Sequence, residues 1–228
     1  MSSKHLPTRR TKPVLQFRSA RLLPWIFAAS TTSVVALLLA AGAAHAAGPT
    51  QAELNNAVND SANWLYVDHD YRGQRYTPLD QITAKNAADL VQVCSYTFPD
   101  KEPSQTGPVA YEGILYATSA HHTVAVDGAS CKPVWRSDWK PRDHEEFVTQ
   151  RGAAIKDGKV VRGTPDGYLL ALDGKTGQEL WSRQIAKPSE GHFISQPPLI
   201  YEDLVLIGPA GSEFAAKGWV GAFRLSDG

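Results

Sequence analysis

The stretch that decides the fold begins at Arg151, ends at Trp181 and reads RGAAIKDGKVVRGTPDGYLLALDGKTGQELW. It holds two short apolar runs, AAIKDGKVVRGT and YLLALD, and it finishes with a tryptophan. Its turns contain glycine and lie at Asp157-Gly158, at Asp166-Gly167 and at GKTG over residues 174–177. Apolar runs of this length between such turns are typical of β-hairpins. We therefore predict a small antiparallel sheet over residues 151–181.

Looser copies of this stretch lie on both sides of it. The turn pairs Glu112-Gly113, Asp157-Gly158 and Glu202-Asp203 follow one another at intervals of 45 residues. Further along each copy, VAVDGASCKPVW ends at Trp135, and LALDGKTGQELW ends at Trp181, 46 residues later. A period near 45 residues with about four strands per unit is typical of a β-propeller. A plain β-sandwich is the alternative, and the equal spacing of both motifs argues against it.

The array of repeats is incomplete. A third copy, VGAFRLSDG over residues 220–228, stops before its tryptophan. Because propellers close with roughly four to eight blades, we predict an all-β chain that forms an incomplete propeller arc. It is then the N-terminal portion of a larger protein or a truncated product. We expect Trp135 and Trp181 to pack between blades. A helical period is confined to residues 54–58 and 83–90, where Thr83 fits an N-cap.

The first 46 residues have the pattern of a secretory signal peptide. Six basic and no acidic residues are followed by an uncharged apolar run from residue 22 to about residue 44, and Ala44-His45-Ala46 fits a cleavage site. The apolar run could also span a bilayer, so an uncleaved membrane anchor is the alternative. We expect a lead-in over residues 47–62 and a partial propeller over residues 63–228, in the periplasm.

Export changes how the charges and the cysteines are interpreted. Without residues 1–46 the chain keeps 17 basic against 23 acidic residues, a net charge of about −6, and no basic stripe suggests a nucleic-acid partner.

Cys94 and Cys131 are 37 residues apart, which fits neither a Cys-x-x-Cys redox pair nor haem attachment. In an exported protein a disulfide between them is expected. Two buried free thiols are the alternative.

Four ordered motifs resemble those of one known family. The pattern ALDGKTGQELW, degenerate as AVDGASCKPVW, is similar to the tryptophan-docking motif of the pyrroloquinoline quinone (PQQ) dependent alcohol dehydrogenases. Three further segments agree: NWLYVDHDYRGQRYTPLDQI from residue 63, QRGAAIKDGKVVRGTPDG from residue 150 and GPAGSEFAAKGWVGAF from residue 208. The resemblance covers residues 63–228. It implies an exported eight-bladed propeller that holds PQQ and Ca²⁺ on the propeller axis.

The resemblance implies a role for two charged residues in particular. Arg151 matches the arginine that donates to the quinone oxygens, where a permanent cation stabilises the charge that builds up on reduction. Glu213 matches the carboxylate ligand of the metal, and hard oxygen donors suit Ca²⁺. The third repeat also carries an insertion over residues 211–218, and insertions in repeats tend to lie on the functional face. An arginine that caps a blade edge is the alternative for Arg151.

Other positions are matched more loosely. Gly211 and Ser212 match small residues beside the cofactor's carboxylates, Ser195 matches a threonine that binds a PQQ carboxylate, and Gln105 matches a polar residue near the cofactor. For Gln105 and Ser195, an ordinary polar loop residue is the alternative. Some relatives pair a cysteine inside the first docking motif with an upstream cysteine, as Cys131 and Cys94 would be paired.

The chain also departs from the family pattern. Glu145 and Glu146 stand where many members carry two adjacent cysteines that stack on PQQ, so the group that stacks on the cofactor is undetermined. The aspartate proposed as general base, an asparagine metal ligand and the tryptophan beneath PQQ have no counterpart in this chain. The histidines show no metal-ligand spacing, and we expect them in loops or at the surface.

The resemblance implies the N-terminal part of a periplasmic, PQQ- and Ca²⁺-dependent alcohol dehydrogenase. Its partners would be a small alcohol, a periplasmic cytochrome c or a membrane quinone as electron acceptor, and the remaining blades or a second subunit. We expect residues 1–228 alone to be inactive. The alternatives are a non-catalytic propeller scaffold of the outer-membrane assembly type and a pseudogene product.

Overall fold

The structure is a computed structural model and describes residues 48–228. The signal peptide or anchor expected over residues 1–46 lies outside these residues. Within the described part of the chain, no helix is both long and apolar enough to cross a bilayer. One short α-helix, α1 (Gln51–Asn55), opens this part. Four 3-10 helices follow along the chain: Ala57–Asn59, Ala87–Asp89, Pro188–Glu190 and Ser212–Phe214.

The described residues form thirteen strands. The strands are β1 (Ser104–Gly107), β2 (Val109–Tyr111), β3 (Ile114–Thr118), β4 (His122–Asp127), β5 (Pro133–Asp138), β6 (Gln150–Gly152), β7 (Ala154–Lys156), β8 (Lys159–Gly163), β9 (Tyr168–Asp173), β10 (Glu179–Gln184), β11 (Leu199–Tyr201), β12 (Leu204–Ile207) and β13 (Gly221–Arg224). A first four-stranded sheet has the order β2-β3-β4-β5, a second has the order β7-β8-β9-β10, and a three-stranded sheet has the order β11-β12-β13. Strands β1 and β6 pair in parallel. Each of the three larger sheets is one repeat of the sequence.

The sheet predicted over residues 151–181 is confirmed. Strands β7 to β10 pair antiparallel in chain order. At the first turn, Asp157 and Gly158 have φ angles of 46° and 75°. Positive φ at both positions gives the primed type of turn, whose twist matches that of the flanking strands. We call the three larger sheets blades 1, 2 and 3 in chain order.

Blade 2 is buried on both faces. Ile155, Val160 and Leu172 belong to an apolar cluster shared with blade 1. Their neighbours along the strands, Ala154 and Val161, belong to a second cluster shared with blade 3. Because successive side chains of a strand point to opposite faces, one continuous apolar run supplies both interfaces. The blades therefore stack face to face, as expected for a propeller.

The two tryptophans connect successive blades, as predicted. Trp135 Nε1 donates to the carbonyl oxygen of Gly174 at 2.9 Å, in the GKTG turn of blade 2. The indole lies against Gly177 of the same turn, where a Cβ atom would come within 2.5 Å of the ring. Trp181 Nε1 donates in the same way to the Leu225 carbonyl oxygen, at 3.1 Å. The glycine of the motif is therefore needed to seat the preceding blade's tryptophan.

A buried arginine also joins blades 1 and 2. Arg162 on β8 has no solvent-exposed surface. Its guanidinium donates to the carbonyl oxygens of Ala120 at 2.7 Å and His122 at 2.8 Å in blade 1, and to Gly163 at 2.8 Å in its own strand. Burial lowers the pKa of Arg162 to about 10, so the group stays charged at neutral pH. Backbone carbonyls therefore satisfy a full charge inside the blade interface.

Residues 49–63, at the end of the lead-in and just after it, bind the same turn of all three repeats. The backbone N–H groups of Glu112 and Glu202 donate to the side-chain oxygens of Asn63 (2.8 Å) and Gln51 (2.6 Å). The N–H of Asp157 donates to the carbonyl oxygen of Pro49 at 3.0 Å. Each donor stands first in the turn pair that recurs every 45 residues, and each has a φ of 46–50°. Residues 49–63 are thus hydrogen-bonded to every blade of the arc.

Expectations on local structure are met in part. The expected cap at Thr83 is present, since Thr83 Oγ1 accepts from the Lys85 N–H and Asn86 Oδ1 accepts from the Thr83 N–H. The helical segment expected over residues 83–90 is shorter, however, and consists of turns and the 3-10 helix Ala87–Asp89. His69 and His192 lie in loops, as expected, although both are buried, at 2% and 9% exposure, and each ring bonds a backbone carbonyl. His122 departs from the expectation, because it lies on β4. The disulfide between Cys94 and Cys131 is present.

We expect the tryptophan contacts to hold the arc together. Trp135→Ala should lower the free energy of unfolding by about 3–5 kcal/mol, because a buried indole and its hydrogen bond are lost. Val134→Ala, at a neighbouring position that is 53% exposed, is the matched control and should change it by about 0.5 kcal/mol or less. Urea unfolding followed by circular dichroism measures both. Equal effects of the two substitutions would contradict the interblade role.

Arg162→Lys should lower the free energy of unfolding by at least about 3 kcal/mol. A single ammonium group cannot reach the carbonyl oxygens on both blades, so buried acceptors lose their donors. Arg136→Lys, an exposed change on β5, is the control and should have an effect near zero. The same urea titration tests the pair. If Arg162→Lys were as stable as Arg136→Lys, the guanidinium would not be joining the blades.

Candidate functional site

Four neighbouring segments carry the predicted site residues. Strands β1 and β6 pair in parallel, which places Gln105 on the strand next to Arg151. The Arg151 N–H donates to the Ser195 carbonyl oxygen at 2.9 Å, so the segment with Ser195 lies beside β6. That segment pairs in turn with Ala210 through Phe193, and residue 211 follows directly. The site residues of successive repeats therefore lie side by side.

Arg151 is the exposed cation of this group. Its neighbours Gln150 and Gly152 on β6 are buried while Arg151 is exposed, as strand alternation requires. Its Nη1 donates to Ser195 Oγ at 2.6 Å. The Arg151 N–H also donates to the Ser195 carbonyl oxygen, so Arg151 is fixed both at its backbone and at the tip of its side chain. The side chain is held in place while most of its donors stay available to a ligand.

Arg151 and Gln105 line one open pocket of about 470 Å³. The remaining lining residues come from the segment over residues 67–75, from β1 and from the segment after Ser195: Val67, Asp68, Arg75, Thr106, Gly107 and Pro197. The Arg75 guanidinium is paired with the Asp68 carboxylate. In this pocket the Arg151 cation therefore stands beside an amide side chain that can donate and accept hydrogen bonds.

Ser195 is buried, with 1% exposure, and its hydroxyl oxygen accepts from the Arg151 guanidinium. The hydroxyl still has its own proton to donate. Next to it, Gln150 supports the same segment. Gln150 is 1% exposed, and its Nε2 donates to the Ile194 carbonyl oxygen at 2.7 Å. Gln150 and Arg151 thus hold two consecutive carbonyls, and the segment with Ser195 is fixed against β6.

Glu213 lies in the 3-10 helix Ser212–Phe214 and lines a smaller pocket of about 150 Å³ with Gly211, Ser212 and His192. Its side chain is exposed. Over residues 48–228 its carboxylate forms no hydrogen bond or ion pair. In the same range no three His, Cys, Asp or Glu side chains are grouped so that they could hold a metal ion. Glu213 is thus an exposed carboxylate with no partner among the described residues.

Gly211 is required by the backbone at this position. Its φ of 134° lies in the region that favours glycine, and an added Cβ would overlap the carbonyl oxygen of Gly191. The Gly211 carbonyl oxygen accepts from the N–H groups of Phe214 and Ala216, at 2.9 and 3.1 Å. The glycine therefore builds the tight turn that presents Ser212 and Glu213.

Two acidic residues before β6 have partners of their own. Glu145 bonds His121 Nε2 at 2.9 Å, and Glu146 bonds His144 Nε2 at 2.9 Å. The carboxylate of Glu146, followed by that of Asp143, raises the pKa of His144. Glu145 also favours the charge of the buried Arg162, as do Asp100 and Asp166. At the two positions predicted to replace adjacent cysteines, the side chains are therefore engaged with the protein.

Gln150 is the residue of this site that sequence reasoning missed. The available signal was its place in the run TQRGA, one position before an exposed arginine, because strand alternation then predicts an inward-facing polar side chain. Arg162 was missed as well, because a charged side chain is not expected to be buried inside a strand whose two faces are both covered. A sequence gives no carbonyl positions, so the partners of both side chains could not be foreseen.

The family profile described as PQQ glucose/ethanol/alcohol dehydrogenase, beta-propeller domain, matches residues 64–228. Over 204 residues the chain is 34% identical to the quinohemoprotein alcohol dehydrogenase ADH IIB of Pseudomonas putida, covering 86% of this chain and 30% of that protein. It is 36% identical over 222 residues to the dehydrogenase subunit of the quinone alcohol dehydrogenase of Acetobacter aceti, covering 91% and 30%. The chain thus spans about 30% of the length of these relatives.

Solved structures agree with the sequence comparison. The quinohemoprotein alcohol dehydrogenase ADHIIG from Pseudomonas putida HK5 superposes with a TM-score of 0.73 at 29% identity, over 80% of this chain and 28% of that one. A europium-containing methanol dehydrogenase superposes with a TM-score of 0.71 at 29% identity, over 77% and 32%. The face-to-face blades, their docked tryptophans and these matches lead to one conclusion: the chain belongs to the family of PQQ glucose/ethanol/alcohol dehydrogenase β-propeller domains.

Proposed function

We propose that this chain is the N-terminal part of a periplasmic alcohol dehydrogenase that uses PQQ and Ca²⁺. The observation that carries the proposal is the fixed, exposed guanidinium of Arg151, which shares a pocket with Gln105. The free carboxylate of Glu213 on a neighbouring segment supports it. The proposal places the protein in the periplasm, with residues 1–46 as the signal peptide that directs export.

The residues of the site suit PQQ, a planar quinone that carries carboxylates. Anionic oxygens need donors, and Arg151 offers several while Gln105 offers its amide. The Ser195 hydroxyl still has a proton to donate while its oxygen accepts from Arg151. In this proposal Gly211 and Ser212 bring backbone and side chain close to the same ligand. Glu213 would bind Ca²⁺ through a hard oxygen donor.

When bound, PQQ accepts the hydride equivalent of an alcohol, and Ca²⁺ acts as a Lewis acid. The role of Arg151 is electrostatic, because a guanidinium that cannot lose its proton stabilises negative charge on nearby oxygens. Ser195 and the backbone bond from the Arg151 N–H keep this cation in one orientation, so little rearrangement is needed during the reaction. No described residue is proposed as the general base.

The partners are part of the proposal as well. The substrate is a small alcohol, and the electrons pass to a periplasmic cytochrome c or to a membrane quinone. Names of the matched relatives support this choice, since they describe quinohemoprotein and quinone alcohol dehydrogenases. Further blades, in the same polypeptide or in a second subunit, would supply the rest of the metal site and the general base.

Arg151→Gln should weaken PQQ binding about 10- to 100-fold, since hydrogen bonds to a charged group are lost. The measurement is a titration of the purified chain with PQQ in the presence of Ca²⁺, followed by the absorbance of the quinone. Arg136→Gln removes an exposed guanidinium from β5 and should leave the affinity unchanged. Failure of the unaltered chain to bind PQQ, or equal affinities of all three proteins, would contradict the proposal.

Glu213→Gln should remove the effect of Ca²⁺ on PQQ affinity. In the unaltered chain we expect tighter PQQ binding with Ca²⁺ than with a chelator, because a cation held at Glu213 would offset the negative charge of the PQQ carboxylates. The neutral amide is a weaker ligand for Ca²⁺, so the PQQ affinity of the variant should be the same with Ca²⁺ as with the chelator. Glu102→Gln, an exposed change in the segment before β1, should keep the Ca²⁺ effect. A Ca²⁺ effect that survived in Glu213→Gln would exclude Glu213 as a ligand.

A further inference from the structure

Gln150 is a buried polar residue beside the proposed site, and its amide is satisfied on one side only. The side chain lies on the face of β6 opposite to Arg151. Its Nε2 donates to the Ile194 carbonyl oxygen at 2.7 Å. Its Oε1 is buried and has no hydrogen-bond partner among the described residues. Because an unpaired acceptor in the interior destabilises a fold, packing alone would favour an apolar side chain at this position.

The residue that Gln150 binds is fixed in the interface between blades 2 and 3. Ile194 is completely buried and belongs to the apolar cluster that these blades share. Its side chain lies against Gly163 of β8, where an added Cβ would overlap it. The side chain of Ile194 is thus held by β8 while its carbonyl oxygen is held by Gln150. Ile194 is therefore a fixed point from which the next residue, Ser195, extends.

Two hydrogen bonds join Ser195 to Arg151. The Ser195 carbonyl oxygen accepts from the Arg151 N–H at 2.9 Å, and the Ser195 Oγ accepts from Arg151 Nη1 at 2.6 Å. The backbone of Arg151 is held by the pairing of β6 with β1. The direction of its guanidinium depends on where Ser195 Oγ lies. Ser195 Oγ in turn depends on the residue before it, which is the one that Gln150 binds.

From these contacts we infer that Gln150 is a positioning residue, which aims the Arg151 guanidinium at the ligand by holding Ile194 and Ser195 in place. Gln150 is not among the residues that line the pocket of Arg151 and Gln105, so it acts on a ligand there through its neighbours. The unpaired Oε1 is then the consequence of placing a donor at a buried carbonyl. The inference rests on the proposed function for the identity of the ligand, which is PQQ.

A double-mutant cycle tests whether Gln150 acts through Ser195. Gln150→Met keeps a side chain of similar length without the donor, and it should weaken PQQ binding about fivefold in the presence of Ca²⁺. Ser195→Ala should weaken PQQ binding at least as much. The double variant should bind PQQ no more weakly than Ser195→Ala alone, because both changes break one chain of contacts. Two effects that simply multiply would overturn the inference.

The control for this cycle is a buried side chain of blade 1 that also loses a hydrogen bond. Thr123 on β4 is 1% exposed, and its Oγ1 accepts from Arg162 Nη1 at 3.3 Å. Thr123→Val should lower the midpoint of urea unfolding and leave the PQQ affinity unchanged. If Thr123→Val weakened PQQ binding as much as Gln150→Met, the effect of Gln150 would be a general loss of stability and not positioning.

Gln150→Glu offers a rescue that only a donor role predicts. A protonated carboxyl has one O–H group, which can donate to the Ile194 carbonyl oxygen in place of the amide. At about pH 5 this variant should bind PQQ within about twofold of the unaltered chain, because burial raises the pKa of a carboxyl above its usual range. The rescue should fade as the pH rises through that pKa. A Gln150→Glu variant as weak as Gln150→Met at about pH 5 would overturn the inference.

A measurement without PQQ separates this inference from the proposed function. Hydrogen exchange of the Arg151 N–H should be about fivefold faster in Gln150→Met than in the unaltered chain, because its acceptor at Ser195 is held less firmly. Exchange in the central strands β8 and β9 should stay the same. Equal exchange of the Arg151 N–H in both proteins would overturn the inference.

The two proposals therefore fail in different ways. If the unaltered chain does not bind PQQ, the proposed function is wrong, and faster exchange of the Arg151 N–H in Gln150→Met would still show that Gln150 positions Arg151. If PQQ binds and Arg151→Gln weakens it, while Gln150→Met changes neither the affinity nor the exchange, the proposed function stands and only the role of Gln150 is wrong.

Discussion

Every blade of this fold has two apolar faces, and a single sheet cannot keep both of them from water. Blade 2 solves the problem with one run of residues whose alternate side chains enter two different interfaces. The interfaces are then fixed by directional contacts, which are the docked indoles of Trp135 and Trp181 and the buried guanidinium of Arg162. Apolar burial supplies the driving force, and these hydrogen bonds determine the offset between blades.

The offset between neighbouring blades brings the residues of the candidate functional site together. Gln105, Arg151 and Ser195 are separated by 46 and 44 residues, close to the repeat length, and stacking of the repeats brings their segments side by side. None of these residues is near the others in the sequence. The site is therefore a property of the repeat spacing, and a change in the length of one repeat would displace a site residue relative to its neighbours without altering any residue of the site.

The sequence was sufficient for the parts of the structure that follow local rules. Turn pairs, alternating apolar runs and the period near 45 residues predicted the blades, and the tryptophans were predicted at the interfaces. What could not be predicted depends on positions of backbone oxygens. The bonds of Arg162 and Gln150 and the burial of His69 all depend on acceptors that only the folded chain places. Gly211 shows the same limit, because its need for glycine comes from the Gly191 carbonyl.

The hydrogen bonds of residues 49–63 have a consequence for the time course of folding. Their acceptors at Pro49, Gln51 and Asn63 precede every blade in the chain, and the bond from Glu202 to Gln51 spans 151 residues. Contacts between such distant positions form slowly, because a long loop must close before they add any stability. Residues 49–63 therefore complete their contacts only after blade 3 has taken its place. The segment that precedes the blades in the sequence is thus among the last to be fixed.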